Sequence, residues 1–294
     1  MAAALPPSTV VIATKDRPRL VREAVDSILA GESRPEEILV VDQSAEPVAV
    51  EGARTVAALA AGLSASRNQG ILEAAHEIVL LIDDDILVTP GWHRAFVEAL
   101  AAAGPRAVAT GRVVIGEPEV PGGFSPASAV SEEPATYRGR IGTDVLAGGN
   151  MAAHRQALLD VGLFDERLGP GTLHPSAEDN DLGFRLLEEG YEIVYVPEAL
   201  AIHRAWRPDR QHLVYRWRYG FGKGGFYTKH ASREDRHMLA RMRKDVGPRL
   251  GRIPRSMRPG RRRAAAGDLV YVAGILAGTA SWIWKERVRR RGGS

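Results

Sequence analysis

Two acidic segments carry the residue types best able to do chemistry. The first is LLIDDDILVTP, where Asp83, Asp84 and Asp85 follow directly on an apolar run that reads as a buried strand. Ligands of open α/β sheets sit beyond the carboxyl ends of the strands, so these carboxylates are expected at a ligand-facing edge. While the chain stays extended, Asp83 and Asp85 point the same way, because side chains alternate. Three neighbouring carboxylates in an apolar setting repel one another and raise each other's pKa. A divalent cation removes that cost. Hard ions such as Mg²⁺ and Mn²⁺ take one or two carboxylates together with phosphate oxygens. The alternative is an acidic turn with its charges in water.

The second segment, HPSAEDNDLGFRLLEEGYEIVYVP, sets Glu178, Asp179 and Asp181 at the mouth of a helix whose apolar positions include Leu182, Leu186 and Leu187. Acids in a first turn are favoured by the free N–H groups and the dipole, which accounts for one or two of them. Behind a Gly/Pro turn at Gly169–Pro175, the cluster also has the form of a positioned general base for an acceptor hydroxyl. His174 lies close to it in sequence. His203, in AIHRAW, either completes an Asp/His ion site or caps its strand. Asp42 ends the run ILVVDQS, where it accepts from a nucleobase or ribose, or makes an Asx-turn. Arg67, in SASRNQG, is a counter-charge for a pyrophosphate, a partner for Asp42 or a surface arginine.

These residues need a scaffold of strands alternating with helices. Strands are expected at Val10–Ala13, Ile38–Val41, Glu77–Ile82, Ala107–Val114 and Ile193–Val196, with structure resuming over Leu146–Ala153. Helices are expected over about Arg19–Ala30, Ser64–Ala75, Gly91–Ala103, Arg155–Val161 and from Glu178 or Asp179 to Glu189. Val56–Ala61 reads as helix or buried apolar loop. This order implies an α/β fold with a mostly parallel sheet flanked by helices. Such a sheet, covered on both faces, explains the unbroken apolar runs. Residues 116–140, rich in Pro, Gly, Ser and Glu, form a long surface loop that suits a cover over substrate as well as plain filler. The domains expected are a flexible tail over 1–8, the α/β domain over 9–212 and a basic, aromatic-rich helical extension over 213–294.

Length and composition are those of a globular chain: 294 residues, 45% hydrophobic and 26% charged. With no cysteine, disulfides, thiolate ligands and cysteine nucleophiles are excluded, and a cytoplasmic setting fits. The opening MAAALPPST does not read as a secretory signal. There is no GxGxxG after the first strand and no GxxxxGK[ST], which argues against a dehydrogenase and a P-loop enzyme. The net charge of +3 hides an asymmetry: from residue 241 on there are 15 Lys/Arg against 3 Asp/Glu, while the first 240 residues carry 24 against 33. Body and tail are therefore expected to meet different partners. The tail holds a 16-residue apolar stretch, Leu269–Trp284, with arginines on both sides and a Gly274/Gly278 pair. The favoured reading is an interfacial or re-entrant helix on an anionic membrane surface, peripheral on the cytoplasmic face. Alternatives are packing on the body or on a partner subunit of a homo-oligomer, and a true span. No nucleic acid is expected, since no zinc-binding cysteines, RNP-like strands or helix-turn-helix accompany the charge.

In order and spacing, VVIATKDRP, ILVVDQS, SASRNQGI, LLIDDDILVTP, LAGGNMAAHRQALLDVGLFDERLG and AEDNDLGFRLLEEGYEIVYVPEA resemble the inverting glycosyltransferases of family 2, which have the GT-A nucleotide-diphospho-sugar fold. The resemblance runs from Thr9 to about Trp206. It implies donor contacts for Thr14 and Asp16, base binding for Asp42, and a basic group near base and diphosphate for Arg67. It makes Asp83 and Asp85 the acids of a DxD motif, with Asp84 between them, Asp85 foremost as metal ligand and His203 completing the Mn²⁺ or Mg²⁺ site. Gly149 and Asn150 match a segment lining the sugar and acceptor pocket, beside which His174 and Asp181 are candidates. Asp179 matches the catalytic base, supported by Glu178. The donor would be a UDP-, GDP- or dTDP-sugar and the acceptor a glycan or lipid-linked hydroxyl, as in a glycolipid or polysaccharide precursor. Two departures stand out: VVDQS where VVDDGS is commoner, and Ala177 where the family often has glycine. The rival readings are a sugar nucleotidyltransferase and a non-catalytic glycan-binding or scaffold protein of the same fold.

Overall fold

The computed structural model describes residues 5–125, 129–204, 206–232, 234–256 and 262–292. In chain order the elements are β1 (Ser8–Thr14), α1 (Pro18–Leu29), β2 (Glu37–Asp42), β3 (Arg54–Ala57), α2 (Leu63–Glu73), β4 (Ile78–Asp83), β5 (Ile86–Val88), α3 (Trp92–Ala103), β6 (Ala107–Ile115), β7 (Ala135–Tyr137), β8 (Asn150–His154), α4 (Arg155–Asp160), α5 (Glu178–Glu188), β9 (Glu192–His203), α6 (His212–His230), α7 (His237–Ser256) and α8 (Arg262–Gly292). They fall into two compact units, Met1–Glu166 with Asp179–Trp206, and Arg167–Glu178 with Arg207–Ser294.

The first unit is built on a nine-stranded sheet of order β3-β2-β1-β4-β8-β6-β9-β5, with β7 on β9. The α/β architecture is as expected. β6 pairs in parallel with β9, and the longest parallel part is the run β3-β2-β1-β4. Beyond it β8 runs antiparallel to both β4 and β6, so the sheet is mixed. Alternating strand positions feed two cores. Val10, Ile12, Val40, Leu80 and Ile82 meet Val21, Val25 and Ile28 of α1 and Trp92 and Phe96 of α3. Val11, Leu39, Val41, Val79 and Leu81 meet Ile71 of α2, Leu158 of α4 and Leu182 and Leu186 of α5. Helices on both faces are what make the strands apolar throughout.

Three local readings change. The start of Val56–Ala61 belongs to a short edge strand, β3, paired with β2. β5, three residues long, pairs antiparallel with the end of β9, which runs on to His203. Within the 116–140 loop, β7 pairs with β9 and Ala129 bridges Val113, while 126–128 lie outside the described residues.

In the second unit α6 and α8 run side by side in parallel. A Cβ on Gly220 would meet the Tyr271 carbonyl oxygen at 2.1 Å, one on Gly224 that of Ile275 at 2.2 Å, and one on Gly278 that of Phe221 at 2.0 Å. Glycines on both helices thus allow backbone-to-backbone approach.

Candidate active site

The chain leaves β4 at Asp83 and turns at Asp84 and Asp85 before β5 begins. The alternation that would aim Asp83 and Asp85 alike therefore ends, and each acid meets a different neighbour. Asp83 receives Arg67 Nη2 from α2 at 2.5 Å. Of the alternatives for Arg67, the partner it takes is Asp83 and not Asp42, and at 3% exposed it is no surface arginine; it also stacks over Phe164 at 5.3 Å. Asp84 accepts from Thr14 Oγ1 at 2.7 Å and Arg17 Nη1 at 2.9 Å. Burial, first, raises the Asp84 carboxyl to about 6; Arg17 opposes that shift and neighbouring Asp85 adds to it. Asp85, 5% exposed, has Oδ1 3.3 Å from His203 Nε2 and Oδ2 3.3 Å from Arg17. β5 sets this up: Ile86 pairs with His203, and the Arg204 N–H donates to the Asp85 carbonyl.

Asp83, His203 and Asp179 line one cleft of about 280 Å³, with Gly148, Gly149, Thr110, Tyr195, Ala129 and Asp144 among its other walls. Two glycines permit this convergence. A Cβ on Gly149 would fall 2.3 Å from Asp83 Oδ2, and one on Gly148 would sit 3.0 Å from both Arg67 Nη1 and the Asp179 Cβ. Asp179 Oδ1 accepts from the Asn180 N–H at 2.8 Å, at the start of α5. Ahead of it, Ala177 has φ +74°, a left-handed conformation suited to the glycine that the family resemblance anticipates there.

At the neighbouring strand ends, Asp42 is 4% exposed and adopts the Asx-turn alternative. Its Oδ1 accepts from the Ser44 N–H and hydroxyl, and its Oδ2 from the Val48 N–H. The Asp16 N–H donates to Ser44 Oγ at 2.8 Å, so one serine ties together the loops after β1 and β2. Asp16 itself has φ +54° and is exposed. Thr14, buried, is spent on orienting Asp84.

Three expected acceptor-side residues belong elsewhere. Asn150 is fully buried: its Nδ2 donates to the Arg112 and Ala199 carbonyls, and its Oδ1 accepts from Trp92 Nε1. It pins β8 to β6, β9 and α3 instead of lining the cleft. Asp181, 0% exposed, accepts from Arg185 Nε at 2.8 Å, and Arg185 in turn donates to the Val161 and Leu163 carbonyls. His174 is packed in the second unit between Phe221 and Trp282, at ring distances of 5.1 and 5.0 Å. Glu178 is buried at the start of α5. Sequence reasoning missed Arg17, whose only signal was its place beside Thr14 in TKDRP. It also missed Asp144 and Tyr195, which carried none.

Among the described residues no group of three His, Cys, Asp or Glu is gathered to hold an ion unaided. The donor set still fits one. A carboxylate beside an imidazole, with a second carboxylate on the same cleft, offers oxygen and nitrogen ligands and leaves positions for a substrate's phosphate oxygens. The arrangement suits charge neutralisation on a bound molecule, with carboxylates on the same cleft able to take up a proton.

Comparison with known proteins bears on the fold. Solved structures of similar fold include GalNAc-T7 with UDP, GalNAc and Mn²⁺ (16% identity, 82% of this chain, 54% of that chain, TM-score 0.55). Another is the mannosyltransferase PcManGT from Pyrobaculum calidifontis in complex with GDP-Man and Mn²⁺ (15% identity, 96% and 88% of the two chains, TM-score 0.60). A third is TarS 1–349 of S. aureus (13% identity, 97% and 92%, TM-score 0.58). The chain spans about half the length of GalNAc-T7, 54%. At these identities the likeness is one of fold. A search of curated proteins gave no match. The sequence profile described as Glycosyl transferase family 2 matches residues 9–162, more than half of the 294. The chain belongs to glycosyl transferase family 2.

Proposed function

We propose that the chain transfers a sugar from a nucleoside-diphosphate sugar to a hydroxyl acceptor, in one displacement that inverts the anomeric carbon. The observation that carries this reading is the shared cleft: Asp83 and His203 line it together with Asp179. Asp85 and His203, with Asp83, would hold Mn²⁺ or Mg²⁺, which when bound offsets the charge gathering on the departing diphosphate. Arg67, held on Asp83, adds a fixed cation beside that position. Asp179 takes the acceptor's proton as the acceptor oxygen bonds to the anomeric carbon. The carbon–oxygen bond to the phosphate breaks, and its electron pair leaves with the nucleoside diphosphate. Attack opposite the leaving group inverts configuration, by the logic of one-step glycoside hydrolysis. Ala129, from the 116–140 loop, lines the same cleft, in keeping with a cover that keeps water from competing. A glycan or lipid-linked acceptor is the class in view.

Purified protein offered UDP-, GDP- and dTDP-sugars with Mn²⁺, Mg²⁺ or chelator tests the reading. Release of nucleoside diphosphate that depends on the cation is expected, with the inverted anomer in the product. Pyrophosphate release from a nucleotide and a sugar phosphate would instead mark a nucleotidyltransferase. Donor binding without turnover on any acceptor would mark a glycan-binding protein.

A further inference from the structure

The second unit has its own concavity, of about 440 Å³, walled by Arg167, Lys229, Trp282, Ile283, Arg287 and Arg289. The Arg167 guanidinium stacks on the Trp282 ring at 4.5 Å. Glu286, also in the wall, accepts from Arg167 Nη1 at 2.8 Å and from Arg289 Nη2 at 3.0 Å. One carboxylate thus stands among four cations, and the concavity keeps a net positive charge. Guanidinium forks beside an ammonium suit the oxygens of a phosphate.

Ile283 also belongs to a second feature. Along the outer side of α8, Leu269, Leu276 and Ile283 recur every seven residues and are 52%, 66% and 40% exposed, joined by Trp284 and Val288. The opposite side of α8 is occupied, since Gly274 and Gly278 lie on α6. By length and composition α8 could cross a bilayer over Arg262–Arg289. However, Asp268 on that helix is held by Arg216 of α6 and by Arg249 and Arg252 of α7. A crossing would carry this charged cluster into hydrocarbon, at a cost that lying in the interface avoids. A free phosphate would account for the cationic hollow but leave the apolar stripe without a partner. A phospholipid accounts for both.

We infer that this hollow takes the phosphate-bearing headgroup of an anionic lipid while the Leu269–Leu276–Ile283 stripe lies along the acyl-chain boundary of the same leaflet. The inference is independent of the sugar-transfer reading and stands or falls without it. The test is flotation of the full chain with vesicles of phosphatidylcholine alone and of equal parts phosphatidylcholine and phosphatidylglycerol. The protein should float with the anionic vesicles and stay behind with the neutral ones. The double substitution Lys229→Gln with Arg287→Gln should weaken binding about 25-fold, about fivefold for each charge near the surface. Should the double variant melt early, Arg287→Gln alone, at an exposed position, should still weaken binding about fivefold. Equal flotation with neutral vesicles, no flotation, or undiminished flotation of a folded variant overturns the inference. So does a thermal shift with inorganic phosphate that the variant abolishes while the parent ignores vesicles, because the site then serves a free anion.

Discussion

Asp179 and Asp181 stand two residues apart on one helix and meet opposite surroundings. Asp179 lines the cleft, whereas Asp181 is fully buried on Arg185. Two positions along an α-helix turn the side chain by about 200°, which is enough to separate solvent from core. In the triplet a turn does the separating. Asp83, still on its strand, lines the cleft and holds Arg67, while Asp84, just past the strand end, is buried on Thr14 and Arg17. A run of acids is therefore not a cluster of equivalent ligands. Each segment gives one carboxylate to the cleft and spends a neighbour on holding the fold.

The contrast on α5 is the one most open to attack. Asp179→Asn should lower kcat about a thousandfold, the usual reach of a general base, with donor affinity and melting temperature near those of the parent. Asp181→Asn should do the reverse. It removes the charge facing Arg185 and so loosens a clamp on two carbonyls, costing about 3 kcal/mol in urea unfolding with kcat nearly kept. Steady-state kinetics and unfolding on both variants decide the matter. If Asp181→Asn lost turnover at unchanged stability, the division of labour proposed here would be wrong.

In the triplet the corresponding probe is pH. Burial lifts the Asp84 carboxyl from 3.8 to about 6 in the folded state. A folded pKa above the unfolded one gives stability that is full below about pH 4 and lost as pH rises through about 6. Asp84→Asn removes that dependence. In chelator the variant should exceed the parent by on the order of 3 kcal/mol near pH 8 and match it near pH 4, at 1.36 kcal/mol per pKa unit. Equal stability of the two at high pH would show that Arg17 alone neutralises this acid. A smaller effect is expected from Gly149→Ala, whose Cβ has no room beside Asp83. Displacing that carboxylate should weaken cation-dependent donor binding ten- to a hundredfold, measured by calorimetry with Mn²⁺ present and absent.

The fold was largely legible because its signals are local. Apolar runs flanked by turn residues located β1, β2, β4 and β6 to within a residue or two, and the Leu182/Leu186 spacing located α5. β5 and the full length of β9 escaped because three residues are too few for a periodic pattern, and their pairing joins positions more than a hundred residues apart. That pairing is what sets Asp85 beside His203. Polar residues were harder to read. Asn150 looks like a site residue through the family resemblance, and Asp181 through its place in the acidic start of a helix. The structure instead engages them fully with Trp92 and Arg185 inside the core. Nothing local distinguishes a polar group awaiting a ligand from one already satisfied by a distant partner. Arg17 illustrates the converse, an ordinary turn arginine whose importance lies in where Asp84 ends up.

Ala177 offers the finest probe of how the second acidic segment is presented. With φ +74° it carries a strain that an L-residue pays and glycine does not, about 1–2 kcal/mol. Two opposing terms enter on replacement by glycine. The unfolded chain gains freedom, costing about 0.4–1 kcal/mol. The buried methyl is also lost, costing about 0.8 kcal/mol, because Ala177 is only 4% exposed. The sum is close to zero, so Ala177→Gly should leave the unfolding free energy within about 0.5 kcal/mol of the parent. Ala177→Val should destabilise by 2 kcal/mol or more, because β-branching is disfavoured in that conformation. A near-neutral glycine beside a costly valine would explain how alanine persists where the family pattern favours glycine: packing offsets strain. A clear gain with glycine would mean that the methyl contributes nothing and the turn ahead of Asp179 is held under uncompensated tension.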